Sequence, residues 1–230
     1  MCINVIIRGI ITGTQGRIGG IVGNNDNARI KECYNNANIS GNYRVGGVTG
    51  YNSQGDIIQC YNNIAISGDK MVGGISGENQ RGNINLCYNL GNITTTIKED
   101  EYAGGISGGN MNGSILNSYN TGNITCYRGA GITGYSTNDS SIQNCYNIGQ
   151  IISEFKVYAA IVAYTNRNEN TLLNNYYLEN CINGTNDITV INGITPIATE
   201  ELKNIASKLG DAYKEDTNHI NNGFPILSWQ

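Results

Sequence analysis

The sequence is poor in most of what globular domains rely on. Of its 230 residues only 14% are charged, 2 are proline, 2 phenylalanine, 1 tryptophan and 1 histidine. The usual charged share is about 25%, so the Glu, Lys and Arg that coat a helical bundle are missing. Simple disorder is excluded too, because it needs high charge and few β-branched residues. A net charge of −4 gives no electrostatic reason to bind nucleic acid or an anionic membrane. No run of about 18 apolar residues is present, so nothing reads as a membrane-spanning helix. The opening Met1-Cys2-Ile3-Asn4-Val5-Ile6-Ile7-Arg8 has an apolar stretch too short for a signal peptide and no small-residue cleavage site. The lone His219 has no nucleophile motif to serve and reads as a cap or surface residue.

What replaces the missing types is 37 Asn, 34 Ile, 31 Gly and 15 Tyr, the composition of a β-protein made largely of turns. The order of these residues is periodic. Ile30-Lys31-Glu32-Cys33-Tyr34-Asn35 returns at Ile57–Asn62, Ile84–Asn89, Ile115–Asn120 and Ile142–Asn147, and decays at Leu172–Tyr177. The positions of the Cys column, 33, 60, 87, 118, 145 and 175, are 27, 27, 31, 27 and 30 residues apart. A second phrase keeps step: Ile18-Gly19-Gly20-Ile21-Val22-Gly23, then Val45–Gly50, Val72–Gly77, Ala103–Gly108 and Gly129–Gly134, with Tyr158–Ala163 carrying Ala for Gly. Ile39, Ile66, Ile93, Ile124 and Ile151 mark a third short apolar piece in each period.

One period cannot bury its few apolar side chains alone, whereas stacked periods share a continuous core. Three short β-prone pieces in about 27 residues make one coil of a parallel β-helix, with equivalent residues about 4.8 Å apart. The expectation is an all-β single-stranded parallel β-helix of about six coils over residues 1–180. The Ile30 and Ile39 columns should form interior ladders. The Asn35/62/89/120/147 column should link its amides along the axis at a bend where Asn tolerates a left-handed backbone. The Gly-Gly pairs mark a bend where a Cβ would clash. Extra residues around Thr95–Glu101, and among Ser153–Val157 and Asn166–Asn170, should form loops, which in repeat proteins often cluster on the binding face.

Residues 181–230 read as a small C-terminal cap over the last coil, belonging to the same domain. Asn183-Gly184 and Asn192-Gly193 are its turn signals. Thr199–Gly210 reads as its one short helix, with Thr199 as N-cap and Gly210 as stop. No matching cap precedes Ile3, where the chain enters mid-coil, and upstream sequence is expected on that ground.

The phrases Val45–Tyr51, Val72–Gly77 and Ala103–Gly108, with the Cys-Tyr-Asn triplets and the closing Asn221–Gln230, resemble the GLUG-type repeats of bacterial surface proteins. The resemblance covers most of the chain. It implies a right-handed β-helix, exposed on or secreted from a bacterial cell, among relatives that include adhesin-like proteins and non-catalytic regions of surface metallopeptidases that cleave immunoglobulin A. It carries no function, since the motif residues build the coil.

Candidate sites each have a plainer structural account. Cys33, Cys60, Cys87 and Cys145 read as a ladder of buried thiols, and Cys2, Cys126 and Cys181 as scattered, with no metal-ligand spacing. No cofactor site is legible. Asp56, Asp69, Glu78 and Asp139 fall in different columns, mostly in turns, and give no carboxylate pair for glycoside hydrolysis. Glu99-Asp100-Glu101 reads as a solvated loop without a calcium-loop spacing. Tyr34, Tyr61, Tyr88, Tyr119, Tyr146 and Tyr176 form the one candidate contact column: a half-buried aromatic ladder, or an outward strip for sugar or protein. The resulting expectation is a non-enzymatic surface or secreted module that contacts a host or cell-surface protein or glycan. The alternative is a spacer or substrate-recruiting region of a larger surface hydrolase, and a carbohydrate-active enzyme comes third.

Overall fold

A computed structural model describes residues 1–97, 101–137, 139–165, 170–182 and 192–230. The loop residues 98–100, the inserted residues 166–169 and the Asn183-Gly184 turn lie outside the described residues. The described residues are all-β apart from two short helices; the coil strands stack in parallel, and one small antiparallel pair, Tyr213–Lys214 with Ile226–Leu227, lies near the C-terminus. One face is a seven-stranded parallel sheet from Cys2–Ile3 to Thr171–Leu173, and a second is a six-stranded parallel sheet from Val22–Asp26 to Val162–Thr165. The third is a larger sheet that contains the long strands Tyr34–Gly46 and Ile66–Gly73.

Like pairs with like. Ile30 lies beside Ile57, Ile57 beside Ile84, and so on to Leu172. The Ile39 column is continuous through Ile66, Ile93, Ile124 and Ile151. The isoleucines of both ladders are buried at 2% exposure or less, which removes from water the apolar surface one coil would leave open. The cysteine column packs in the core with the Ile30 ladder, and all seven cysteines are free thiols.

The Gly-Gly bend is steric. A Cβ on Gly47 would stand 2.2 Å from the Gly74 carbonyl oxygen and 2.8 Å from the Asn62 Cβ. The asparagine ladder also forms, with Nδ2 of each residue donating to Oδ1 of the next at 2.7–2.8 Å from Asn35 to Asn147. These asparagines are fully buried and do not take the left-handed backbone expected of them. That conformation falls instead on Glu32, Gln59, Leu86, Asn117, Asn144 and Asn174, three residues earlier, at φ 45–57°. The Asn35 amide is committed inward, where its Nδ2 also donates to the Ala37 carbonyl at 2.8 Å, and the sharp corner falls on a residue that is only partly buried. A second ladder, Asn25/52/79/110, joined at 2.7–2.8 Å, went unread in the sequence.

The C-terminal residues lie on the last coil and also reach along its side. Ile194–Ile197 pairs in parallel with Asn175–Leu178, so coiling continues past residue 181. The single helix expected over 199–210 is two: α1 (Thr199–Lys203) and α2 (Ala206–Leu209). Ala198, not Thr199, is the N-cap of α1. Asn204 breaks the helix: its Nδ2 takes the Glu200 carbonyl at 2.7 Å and its N–H bonds the Glu201 carbonyl, closing the turn one residue early. Leu202, Ile205, Ala206 and Leu209 still share a buried face. From there the chain runs back along the side of the coils as a strap, to Trp229 beside the third coil.

Candidate functional site

The tyrosine column projects outward, and its rings stack at 4.5–5.1 Å with interplanar angles of 9° or less from Tyr34 to Tyr146. The strap covers its middle. Tyr88, Tyr119 and Tyr146 are 7%, 1% and 0% exposed beneath Leu202, Leu209, Phe224 and Leu227. The Tyr146 hydroxyl donates to the Pro225 carbonyl and accepts from Asn221 Nδ2 at 2.8 Å. Tyr119 donates to Gln230 Oε1 at 3.1 Å, and Trp229 Nε1 to the Leu86 carbonyl at 3.0 Å. Burial pushes all three phenols above their ordinary range. Only Tyr34, Tyr61 and Tyr176 remain half-buried; the others seat the chain's own C-terminal residues and are closed to a ligand while the strap is down.

An open site lies elsewhere, on the outside of the six-stranded sheet and the corner beside it. Tyr43, Arg44, Met71, Glu78, Tyr102, Met111 and Tyr135 line a trough of about 370 Å³. Two repeat positions build it. The strand position holds Asn24, Tyr51, Glu78, Gly109, Tyr135 and Tyr164 in successive coils. The corner position includes Arg17, Arg44 and Met71, whose left-handed backbone (φ 52–65°) turns the chain there.

At one end, the Arg44 guanidinium lies 4.7 Å from the Tyr43 ring centre and 4.4 Å from that of Tyr51. Its Nε donates to Glu78 Oε2 at 2.7 Å. Arg17 lies 4.6 Å over Tyr51, whose hydroxyl donates to Gln80 Oε1. At the other end Tyr135 stacks on Tyr164 at 5.2 Å and 6°, with Tyr102 tilted against both. Between the two ends Gly109 contributes no side chain, and a Cβ there would meet Met71 Sδ at 3.1 Å. Glu78 is 2% exposed. A buried carboxylate is tolerable here because the charge-assisted bond to Arg44 answers it.

Sequence reading missed this trough because its residues change type from coil to coil. A search for repetition finds the parts that build the coil and passes over those that do not. The available signal was the mismatch itself: a position reading Asn, Tyr, Glu, Gly, Tyr, Tyr between neighbours that are Gly and Asn in the first four coils. Asp56 and Glu78, read mostly as turn residues, lie in strands. Asp56 holds Arg29 at 3.1 Å, so neither acid is a bare carboxylate.

Glu101 corrects another expectation. Far from being solvated, it is fully buried, with Oε1 accepting from Thr95 Oγ1 at 2.6 Å and from the Tyr127 N–H at 2.7 Å. Burial raises its pKa. Cys2, read as scattered, tops the thiol column, with Sγ 3.8 Å from Cys33 Sγ. Cys126, Cys145 and Cys181 are pushed up to about 12 by burial, the state of inert core thiols. Among the described residues no group of three or more His, Cys, Asp or Glu is placed to hold a metal ion, and no helix is long and apolar enough to cross a membrane.

Residues 14–40 and 100–125 match the model of the GLUG motif. No curated protein matches the chain significantly. Among solved structures, the chain is similar to a Bacteroides ovatus protein named "putative immunoglobulin A1 protease". The TM-score is 0.78 at 21% identity, over 98% of this chain and 75% of that one. Such a likeness carries the fold, down to its stacked coils. The chain is a parallel β-helix that carries the GLUG motif.

Proposed function

We propose that the chain is a non-enzymatic adhesion module of a bacterial surface or secreted protein, and that the trough is where it meets a host or cell-surface glycan. The observation that carries this reading is the make-up of the trough: a cluster of tyrosine rings at one end and, at the other, an Arg44 guanidinium held between tyrosines by its bond to Glu78. Sugar rings present apolar C–H faces and a rim of hydroxyls. Aromatic faces take the first, and planar groups with fixed donors and acceptors take the second. The GLUG motif and the shared fold support placing the chain outside the cell.

The test is a glycan array probed with the purified chain and with a Tyr135→Ala, Tyr164→Ala double variant, beside a Tyr34→Ala, Tyr61→Ala variant. Selective binding lost only in the trough variant supports the reading. Equal loss in both folded variants would point away from the trough. A second reading takes support from the name of the Bacteroides ovatus protein: a substrate-recruiting region of a larger hydrolase. Binding to immunoglobulin A1 that survives removal of its glycans would favour it.

A further inference from the structure

Resting on the glycan reading above, we infer that the trough takes an unbranched, extended oligosaccharide lying along the coil axis, with one sugar ring per coil and at least three rings engaged. Three features of the site carry this. First, its lining runs from Tyr43 and Arg44 in the second coil, through Met71 and Glu78 in the third and Tyr102 and Met111 in the fourth, to Tyr135 in the fifth. That is three coil steps, or about 14 Å at about 4.8 Å each. A single ring cannot touch both ends, while an extended, equatorially linked chain advances per sugar by nearly the distance the protein advances per coil. Ring and rung stay in phase.

Second, the aromatic groups stand at the ends and not along the floor. The Tyr135 and Tyr164 rings are stacked on one another, with Tyr102 tilted against them. Arg44 is clasped by Tyr43 and Tyr51 at the far end. Third, the column is interrupted at Gly109, in the coil between Glu78 and Tyr135. A tyrosine there would extend the Tyr135–Tyr164 stack and fill the trough. Its absence leaves a seat one side chain deep beside Met71, with the partly exposed Arg44 guanidinium two coils away, fixed by the buried Glu78, to meet hydroxyls. A branched or compact terminal epitope would leave one end of this site unfilled.

The experiment is an affinity series with β-1,4-linked N-acetylglucosamine and glucose chains from the monosaccharide to the hexasaccharide, together with an array of linear and branched glycans. The chain is compared with a Gly109→Tyr variant. That substitution introduces the residue found at the same position in three other coils, Tyr51, Tyr135 and Tyr164, and Gly109 has no left-handed backbone to strain. Affinity is expected to rise with added rings up to three or four and then to level off, with a step of about threefold to tenfold, the range of an aromatic contact, when the chain is long enough to reach the second end. With the flexible Met71 side chain, whose Sδ the new Cβ would meet at 3.1 Å, swinging aside, Gly109→Tyr should still fold and should lose this binding by at least about tenfold. Binding by short or branched termini that does not grow with length would overturn the extended-chain inference and leave the glycan reading standing. Binding unchanged in folded Gly109→Tyr would overturn both for this trough. If no glycan of any class binds the folded chain, both fall.

Discussion

At the scale of single residues, the inner asparagines and the outer ring residues divide the labour. Asn89 has no exposed atom to offer a ligand, yet its amide makes four contacts. It donates to the Gly91 carbonyl and to Asn120 Oδ1, both at 2.7 Å, and accepts from Asn62 Nδ2 at 2.7 Å and from the Gly91 N–H at 3.2 Å. Removing it strands donors and acceptors on two neighbouring coils, in a place water does not reach. Each stranded group costs about 1–3 kcal/mol. Asn89→Ala should therefore lose about 3–5 kcal/mol in urea denaturation, toward the upper end for single substitutions. Asn38→Ala, at an exposed position, should stay within about 0.5 kcal/mol. Equal small losses at both sites would mean that the ladder is an ornament of the coil and not a support of it.

At the scale of elements, the strap is the part that most needs its context to be understood. Its closing turn is built around Asp216, whose carboxylate accepts from the N–H groups of Ile220, Asn221 and Gly223 at 2.9, 2.7 and 3.0 Å. Burial alone would raise its pKa, but these three donors, helped by His219, hold it below its ordinary value. A carboxyl whose pKa is lowered on folding binds its proton more weakly in the folded state. Its contribution is therefore present above the unfolded value, about 3.9, and is lost as the pH falls through the lower folded value. The single tryptophan reports this directly, since Trp229 sits on Tyr88 at the strap's far end. Emission should shift to the red as pH falls below about 4, and Asp216→Asn should show part of that shift at neutral pH. A spectrum flat down to acid unfolding would mean the turn does not hold the strap.

The strap also shows where sequence reading stops. Its helical face, Leu202, Ile205, Ala206 and Leu209, was legible from spacing, and so was the stop at Gly210, which has φ 94°. What that face covers was not legible, because nothing local in 199–230 distinguishes the open end of a solenoid from a wall of tyrosines. The two answers differ by a long-range contact, Trp229 to Leu86, across 143 residues. The coils were legible for the opposite reason: each residue's partner is its own copy one period away, so periodicity alone supplies the long-range pairing. Ladders of Ile30, Ile39 and Asn35 could be named in advance. The trough could not, since Tyr51, Glu78, Gly109 and Tyr135 share a column without sharing a chemistry.

At the scale of the whole molecule, this arrangement makes stability and binding separable. If each coil meets mainly its neighbours, one whole period can be removed and the ladders rejoined. Ser53 lies beside Gln80 in register, so deletion of residues 54–80 joins Ser53 to Arg81, which occupies the corner of Gln54. Ile30 would then stack on Ile84, Asn35 on Asn89 and Cys33 on Cys87, while Trp229 keeps Tyr88. The shortened chain should fold cooperatively, with a denaturant slope lower by roughly a tenth, in line with the surface it no longer buries. It should also bind no oligosaccharide, having lost Met71 and Glu78 from the middle of the trough and brought its ends one coil closer. A deletion of half a period, 54–67, shifts every ladder out of phase and should not fold. If the whole-period deletion also fails to fold, the coils are not interchangeable units, and the repeats matter for more than stacking.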